Sequence, residues 1–246
     1  MLVAALAVAS YGCGRDDDGT KQKLTVSAAS SLKRAFERYG DAFPNARTRF
    51  SFAASDALAA QIRRGAKPDV FAAANTRLPE QLFGEGRVEK PVTFAANRLV
   101  IAVPAASSDV RSLADLERPG VTLAVGSPSV PVGSYTREVL AHLPEAARRR
   151  ILGNVRSNEP DVAGVVGKLV QGAADAGFAY ATDVTATKGR LSAIELPPRL
   201  RPRVEYGIAV VKGAEQPGEA SAFIDGLLQG DGRAAMRAAG FEPPRE

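Results

Sequence analysis

The sequence predicts an α/β fold in two lobes, each built on a mixed, mostly parallel sheet, with a hinge and a ligand cleft between the lobes. Short buried-strand patterns alternate with helix patterns along most of the chain, which is typical of parallel sheets covered by helices. The chain has 246 residues, of which 45% are hydrophobic, enough for two modest cores. A single sheet holding every predicted strand would be large, so two lobes of roughly 100 residues each are favoured.

The sequence predicts an export signal at the N-terminus, ahead of the fold. Residues 1–12 are apolar and uncharged, like the hydrophobic centre of a signal peptide. Cys13 follows at the boundary and is the only cysteine, so we expect it to be lipid-modified. The alternative is an ordinary cleaved signal in which Cys13 is incidental. The polar residues 14–22 then form a tether, and residues 1–22 together precede the lobes.

The first part of the fold alternates strand and helix. Strands are predicted at 24–28, 48–52 and 69–74 from their short apolar runs. A helix is predicted between the first two strands, because Leu32, Ala35, Phe36 and Tyr39 recur at helical spacing. A second helix at 57–64 ends at Gly65.

The second part continues the alternation with no internal repeat. Ser112 and Asp115 have the spacing of a capping box and predict a short helix. The remaining strands are predicted at 99–103, 121–125, 177–180 and 204–211, and the remaining helices at 134–143, 162–171, 223–228 and 233–239. The chain is expected to cross between lobes near Asn97 and again near Tyr206. Lobe 1 is therefore 23–96 plus 207–246, and lobe 2 is 97–206.

Composition disfavours several classes of function. The net charge is +5, but Lys and Arg are scattered, and the densest cluster, 148–150, fits a solvated helix end. The chain has no Trp, which disfavours a base-stacking surface, so no nucleic-acid partner is expected. One cysteine and one histidine, His142, exclude an internal disulfide and a Cys/His metal cluster. His142 is predicted to be a surface residue.

Four turns share one design, in which a strand passes through small residues into a helix start. They are 28–31, 53–56, 130–133 and 159–162. Helix N-termini attract anions through unpaired N–H groups and the helix dipole. Four such ends from two lobes would form a cage of neutral donors around a desolvated dianion. Taken singly, Ser31 and Ser55 are better explained as ordinary N-caps.

The chain resembles the bacterial molybdate-binding proteins of the ABC-transporter substrate-binding class, from about Lys23 to Phe241. The resemblance rests on an ordered set of segments with matching spacing. They are 24–32 (LTVSAASSL), 51–55 (SFAAS), 58–62 (LAAQI), 65–66 (GA), 68–71 (PDVF), 97–100 (NRLV), 123–126 (LAVG), 130–135 (VPVGSY), 161–162 (DV), 175–180 (DAGFAY), 182–183 (TD) and 204–206 (VEY).

The resemblance implies a type II periplasmic-binding-protein-like fold that captures molybdate or tungstate outside the cytoplasmic membrane and delivers it to the permease of an ABC importer. It implies no catalysis and no cofactor, and we expect a monomer. Carried over residue by residue, the oxyanion would be held by the hydroxyls of Ser31, Ser55 and Tyr180 and by the backbone amides of Val132 and Val162.

Three positions leave alternatives open. Ser30 is an alternative to Ser31, since either hydroxyl could face the cleft. Tyr180 could instead be a core aromatic with its hydroxyl at the surface. Asp56 departs from the small neutral residue that is common in the family at that point. Its carboxylate either points to solvent, as is common in a first helical turn, or adapts the site to another ligand.

Other functions compete with the molybdate carrier. A carrier for sulfate or phosphate would use the same cage, and Asp56 could accept the proton of phosphate. A hydrolase is disfavoured because the G-x-S-x-G nucleophile motif is missing and the sole histidine lacks a suitable setting. A ligand-sensing domain of a transcription regulator is disfavoured by the apolar N-terminus.

Overall fold

The structure, a computed structural model, describes residues 21–106 and 109–244. The predicted export signal, Cys13 and the tether up to residue 20 lie outside the described residues. The α/β class is confirmed, because two five-stranded mixed sheets are covered by helices. Among the described residues, no helix has both the length and the apolar character needed to span a bilayer.

The described residues contain ten strands and nine α-helices, with three short 3-10 turns. The strands are β1 (Lys23–Ala29), β2 (Arg47–Ala53), β3 (Val70–Ala73), β4 (Val92–Asn97), β5 (Leu99–Pro104), β6 (Leu123–Gly126), β7 (Val155–Glu159), β8 (Ala176–Tyr180), β9 (Leu191–Glu195) and β10 (Val204–Val210). The helices are α1 (Lys33–Ala42), α2 (Ser55–Arg63), α3 (Arg77–Gly84), α4 (Pro131–Ala141), α5 (Glu145–Gly153), α6 (Val162–Val170), α7 (Ala181–Ala186), α8 (Pro217–Gln229) and α9 (Asp231–Ala238).

The two sheets have equivalent strand orders. The first is β2-β1-β3-β10-β4 and the second is β7-β6-β8-β5-β9. In each sheet the first three strands are parallel, the fourth (β10 or β5) is antiparallel to both neighbours, and the fifth again follows the first three. Four of the five strands in each sheet therefore share one direction, as the mostly parallel prediction requires.

No range was predicted for strands β4, β7 and β9, although the turn at 159–162 implied a strand end where β7 lies; all three are at sheet edges. In β7 and β9 the edge position leaves several residues exposed, so their apolar pattern is weak, whereas the last four residues of β4 are buried. β7 reads VRSNE with alternating exposure, and β9 reads LSAIE with three exposed residues. Helices α3, α5 and α7 were also not predicted as separate elements. Helix α3 contains Pro79, which is tolerated because it lies in the first turn.

The predicted short helix near Ser112 forms as a 3-10 turn at Ala114–Glu117. Its hydrogen bonds differ from those of a capping box. The Asp115 carboxylate accepts from the Ser112 hydroxyl at 2.9 Å and from the Arg111 N–H at 2.9 Å. These bonds close a tight turn before the helix, so the motif marks a turn more than a helix start.

A threonine–aspartate link recurs in both sheets, although the sequence showed no repeat. Asp69, just before β3, accepts from the Thr25 N–H and hydroxyl of β1 at 2.7 and 2.6 Å. Asp175, just before β8, accepts from the Thr122 N–H and hydroxyl at 2.8 and 2.7 Å. Each link joins the starts of two neighbouring parallel strands and thereby aligns their opposite, carboxyl ends.

The two aspartates should contribute unequally to stability. Asp69 is buried and also accepts from the Gln216 N–H at 2.8 Å, whereas Asp175 is exposed. We expect Asp69→Ala to lower the free energy of unfolding by about 3 kcal/mol, because two partly buried N–H groups and the Thr25 hydroxyl lose their acceptor. Asp175→Ala should lower it by about 1 kcal/mol or less, since water replaces the carboxylate. Urea unfolding followed by circular dichroism measures both, and equal losses would contradict this ranking.

Candidate ligand-binding site

A small cavity lies where the carboxyl ends of six parallel strands meet, three from each sheet. This edge of an α/β sheet is where ligands usually bind. The residues around the cavity follow β1, β2, β3, β6 and β7 or end β8. They are Ala29, Ser30, Ser31, Ala53, Ala54, Ser55, Ala74, Val130, Pro131, Val132, Asp161, Val162 and Tyr180.

The cavity has a volume of about 20 Å³. One water molecule needs roughly 10–15 Å³ on the same measure, so the cavity accommodates one small polyatomic ion. A sugar, an amino acid or a peptide would not fit between the lobes in this conformation. The size of the cavity thus limits the ligand class before any polar contact is considered.

Helix N-termini supply backbone donors to the cavity. Helix α4 has Val130 at its N-cap and Pro131 next, so the N–H of Val132 is the first amide hydrogen within the helix. Helix α6 begins at Val162, and its N-cap Asp161 accepts from the Gly164 N–H at 3.0 Å. The first N–H groups of a helix have no partner within it, so those of Val132 and Val162 are free for a ligand.

Ser55 is the first residue of α2 and does not cap it. The N-cap position belongs to Ala54, which makes no side-chain hydrogen bond. The Ser55 hydroxyl oxygen instead accepts from the Ala74 N–H of the loop after β3, at 3.1 Å. Its own hydrogen is therefore free to point into the cavity. The ordinary N-cap explanation of Ser55 is wrong.

Ser31 lies in the 3-10 turn that precedes α1, with Ala29 at the cap position. Its hydroxyl is 3.1 Å from the hydroxyl of Tyr206 on β10. The Nδ2 amino group of Asn97 donates to the Tyr206 hydroxyl at 3.4 Å. Both Ser31 and Tyr206 are buried, so these contacts are shielded from water. The neighbouring Ser30 is half-buried and also lines the cavity.

The Tyr180 hydroxyl is buried and has no hydrogen-bond partner among the described residues. Only 1% of the residue is exposed, so the surface explanation of this tyrosine is wrong. Burial, with smaller effects from Tyr206, Tyr135 and Asp183, raises the pKa of the Tyr180 hydroxyl well above its usual value. The group therefore keeps its proton, and an unsatisfied buried donor of this kind costs free energy unless a ligand accepts from it.

Two carboxylates lie near the site but are turned to other partners. Asp161 lines the cavity, and its carboxylate is engaged by the Gly164 N–H. Asp56 is half-buried and is not among the lining residues; its carboxylate accepts from the Ala57 N–H at 2.9 Å. His142 caps the C-terminal end of α4, and its Nδ1 is 2.8 Å from the Glu138 carbonyl oxygen, far along the helix from the cavity.

Gly133 allows helix α4 to approach the end of β6. A Cβ atom at this position would lie 1.9 Å from the Ser127 carbonyl oxygen and 2.4 Å from that of Gly126. Both of these oxygens belong to the backbone, so side-chain rotation cannot relieve the clash. The absence of a side chain at Gly133 thus fixes where the Val132 N–H stands.

Several residues around or behind the cavity escaped the sequence analysis. Ala74 holds Ser55, and Asn97 and Tyr206 stand behind Ser31. Asn97 and Tyr206 belong to segments that carry the resemblance, but the local sequence around them does not predict that their side chains form a hydrogen bond. They are separated by 109 residues along the chain.

Two α/β sheets whose helix N-termini meet around one small cavity define a class of two-lobed ligand-binding proteins. The chain belongs to the family of bacterial extracellular solute-binding proteins, since residues 24–242 match that family.

Individual relatives narrow the comparison. The chain is 34% identical to the molybdate-binding protein ModA of Mycobacterium tuberculosis, covering 99% of this chain and 97% of the relative. It is 31% identical to ModA of Escherichia coli, covering 85% and 84%. Among solved structures, the periplasmic molybdate-binding protein of Azotobacter vinelandii superposes with a TM-score of 0.81 at 22% identity, covering 90% of this chain and all of that one.

Gly133→Ala should destabilise the protein, because the added Cβ must push backbone atoms apart. We expect a loss of about 2–3 kcal/mol in the free energy of unfolding. The matched control is Gly167→Ala within α6, where a Cβ would meet no atom within 4 Å. That change should be neutral or stabilise by up to about 1 kcal/mol. Urea unfolding compares the two, and a Gly133→Ala protein as stable as the control would contradict the close approach.

Asp183, in the first turn of α7, should make stability depend on pH. Burial, with a smaller contribution from Asp161, raises the pKa of its carboxyl to about 7, although the Tyr180 N–H opposes this shift. From about pH 4 to 7 the unfolded chain releases this proton while the folded protein keeps it, so folding weakens as pH rises.

Asp183→Asn removes this titration and keeps an acceptor for the Tyr180 N–H. We expect the variant to gain on the order of 3 kcal/mol over the wild type between pH 4 and 7, with no further gain above pH 8. Urea unfolding at several pH values measures the difference. A constant difference across this range would show that Asp183 does not titrate there.

Proposed function

We propose that this protein captures molybdate or tungstate outside the cytoplasmic membrane and delivers it to an ABC importer. The observation that carries the proposal is the buried, unpartnered Tyr180 hydroxyl, which faces a cavity the size of one small ion. The names of the relatives that are 34% and 31% identical support the choice of ligand.

The chemistry of the proposed contacts suits a tetrahedral dianion. The hydroxyls of Ser31, Ser55 and Tyr180 and the amides of Val132 and Val162 are neutral donors carried on rigid elements. Neutral donors can replace the hydration of a dianion without a buried cation, and helix N-termini add favourable dipoles. Ser30 adds a further hydroxyl at the cavity edge. Asp56, turned away from the cavity, would not oppose the anion.

Selectivity would come from the size of the cage. Sulfate is smaller than molybdate and would leave some donors unpaired, which weakens binding. Molybdate and tungstate are nearly equal in size, so the cage would accept both. A carrier for sulfate or phosphate uses the same kind of contacts and is the alternative that direct measurement must separate.

The wider role follows from the same site. We propose that lobe 1 (23–96 plus 207–246) and lobe 2 (97–206) close over the ion by bending where the chain crosses between the sheets. The ion is bound and released unchanged, without catalysis or a cofactor. A monomer presents the closed lobes to a membrane permease. Lipidation of Cys13 would keep the protein at the outer face of the membrane, since a diacylated cysteine anchors far better than one acyl chain.

Calorimetric titration tests the ligand. The chain beginning at residue 14 is titrated in turn with molybdate, tungstate, sulfate and phosphate. We expect one-to-one binding of molybdate and tungstate, with sulfate and phosphate much weaker. If the protein preferred sulfate or phosphate, it would still be assigned as an oxyanion carrier, but with a different ligand. Silence with all four would reject an oxyanion site.

Tyr180→Phe should change stability and affinity in opposite directions. The ligand-free protein should gain up to about 1 kcal/mol of stability, because an unsatisfied buried hydroxyl disappears. Affinity for molybdate should fall by about 10- to 100-fold, because a donor to the dianion is lost.

Tyr39→Phe is the matched control for Tyr180→Phe. The Tyr39 hydroxyl donates to the Phe223 carbonyl oxygen at 3.2 Å and lies outside the cavity. Its loss should cost about 1 kcal/mol of stability and leave the affinity unchanged. Thermal unfolding and calorimetry measure both quantities. A Tyr180→Phe protein that binds molybdate as the wild type does would remove Tyr180 from the site.

A further inference from the structure

The chain of hydrogen bonds behind Ser31 has a defined donor-to-acceptor order, and Asn97 is its first donor. The Asn97 side-chain oxygen accepts from the Arg98 N–H at 2.9 Å, so its amino group must face the other way. That amino group donates to the Thr182 hydroxyl at 2.8 Å and to the Tyr206 hydroxyl at 3.4 Å. The Asn97 side chain is thus oriented by backbone on one side and two hydroxyls on the other.

The same donor-to-acceptor direction continues from Tyr206 to Ser31. Because the Tyr206 hydroxyl accepts from Asn97, its own hydrogen is left for the Ser31 oxygen, 3.1 Å away. Tyr206 is fully buried, and its ring packs edge-on against Tyr180 and Phe241, at 5.9 and 5.3 Å between ring centroids. Water therefore cannot replace either partner, and the ring cannot turn its hydroxyl elsewhere. Ser31 then accepts from behind and directs its hydrogen into the cavity.

The Ser55 hydroxyl is also oriented as a donor toward the cavity, but by a backbone N–H group. Its oxygen accepts from the Ala74 N–H, so its hydrogen also points toward the cavity. A serine hydroxyl can otherwise donate or accept as its surroundings require. Ser31 and Ser55, two of the three serines that line the cavity, are therefore both biased toward donation, each by a donor placed behind it.

We propose that Asn97 and Tyr206 are positioning residues that hold Ser31 as a hydrogen-bond donor and thereby exclude oxyanions that carry a proton. The proposal rests on the proposed function and deepens it. An ion such as hydrogen phosphate presents an O–H group to the hydroxyls of Ser31 and Ser55, which are already held as donors, so that one hydrogen faces another. The Asp161 carboxylate also lines the cavity, but it accepts from the Gly164 N–H. Molybdate, tungstate and sulfate carry no proton near neutral pH and avoid this conflict. Selection against hydrogen phosphate is then independent of size.

The location of Asn97 connects this network to both lobes. Asn97 ends β4, directly before the chain enters the second sheet at Leu99. Its amino group joins Tyr206 and, through it, Ser31, which follows β1 of the first sheet, to Thr182, which follows β8 of the second. The donor direction of Ser31 is therefore set at the crossing between the sheets.

Two substitutions test the proposal. Tyr206→Phe keeps the ring and removes the hydroxyl that donates to Ser31. Asn97→Asp replaces the amino group by a second carboxylate oxygen, so Tyr206 would donate to it and accept from Ser31, and the Ser31 lone pairs would face the cavity. The readout is competition with molybdate by sulfate and by phosphate at pH 8. Both competitors are then dianions of similar size, and they differ mainly in one proton.

The added charge of Asn97→Asp weakens all dianions alike, so the ratio of the two competitors reports the direction of the hydrogen bonds. We expect Tyr206→Phe to weaken molybdate binding about tenfold, as the loss of one buried hydrogen bond would. In Asn97→Asp the affinity for hydrogen phosphate relative to sulfate should rise at least about tenfold over the wild type. Tyr39→Phe again serves as the control and should change neither quantity.

The outcomes separate this proposal from the proposed function. If the wild type binds none of the ions, the proposed function fails. If the wild type binds molybdate and Tyr206→Phe binds it within about twofold, the positioning role is overturned. If Asn97→Asp loses all ions by one common factor, with the phosphate-to-sulfate ratio unchanged, Asn97 does not set the donor direction of Ser31. Thermal unfolding of each variant verifies that it remains folded.

Discussion

One constraint dominates the structure: several hydrogen-bond donors without partners surround a single cavity that is shielded from water. Six parallel strands from two sheets end at the cavity, and the helices that follow leave first-turn N–H groups without internal partners. Buried donors without acceptors cost free energy, and the Tyr180 hydroxyl is the clearest example. A small anion would satisfy them together, so the features that destabilise the ligand-free cavity are those that would bind the ligand.

Much of the remaining architecture serves to place these donors. The Asp69 and Asp175 links align neighbouring strands in the two sheets at the ends opposite the cavity. Gly133 permits the close approach that positions α4. Ala74, Tyr206 and Asn97 then act on the hydroxyls themselves, because a rotating O–H group has no fixed role until a neighbour assigns one. The selectivity of such a cage would therefore depend on residues outside it.

The two lobes are more alike in structure than in sequence. Each has three parallel strands, a returning antiparallel strand and a final edge strand, although β5 precedes its parallel strands in the chain and β10 follows its own. The threonine–aspartate link recurs at equivalent positions. Different chain orders and few shared side chains conceal this relationship from a search for sequence repeats.

The sequence by itself determined the α/β class, most central strands, and the four turns that become helix starts at the cavity, because apolar periodicity and small-residue turns are local properties. Through its resemblance it also singled out Ser31, Ser55, Val132, Val162 and Tyr180, which the fold brings around one cavity. The ranges of edge strands β7 and β9 were missed because one-sided pairing leaves a weak apolar pattern, and β4 was missed although its last four residues are buried. Only the tertiary structure decided that the Ser55 oxygen accepts from the Ala74 N–H and that Tyr206 and Asn97 stand behind Ser31, since these contacts join residues distant in sequence.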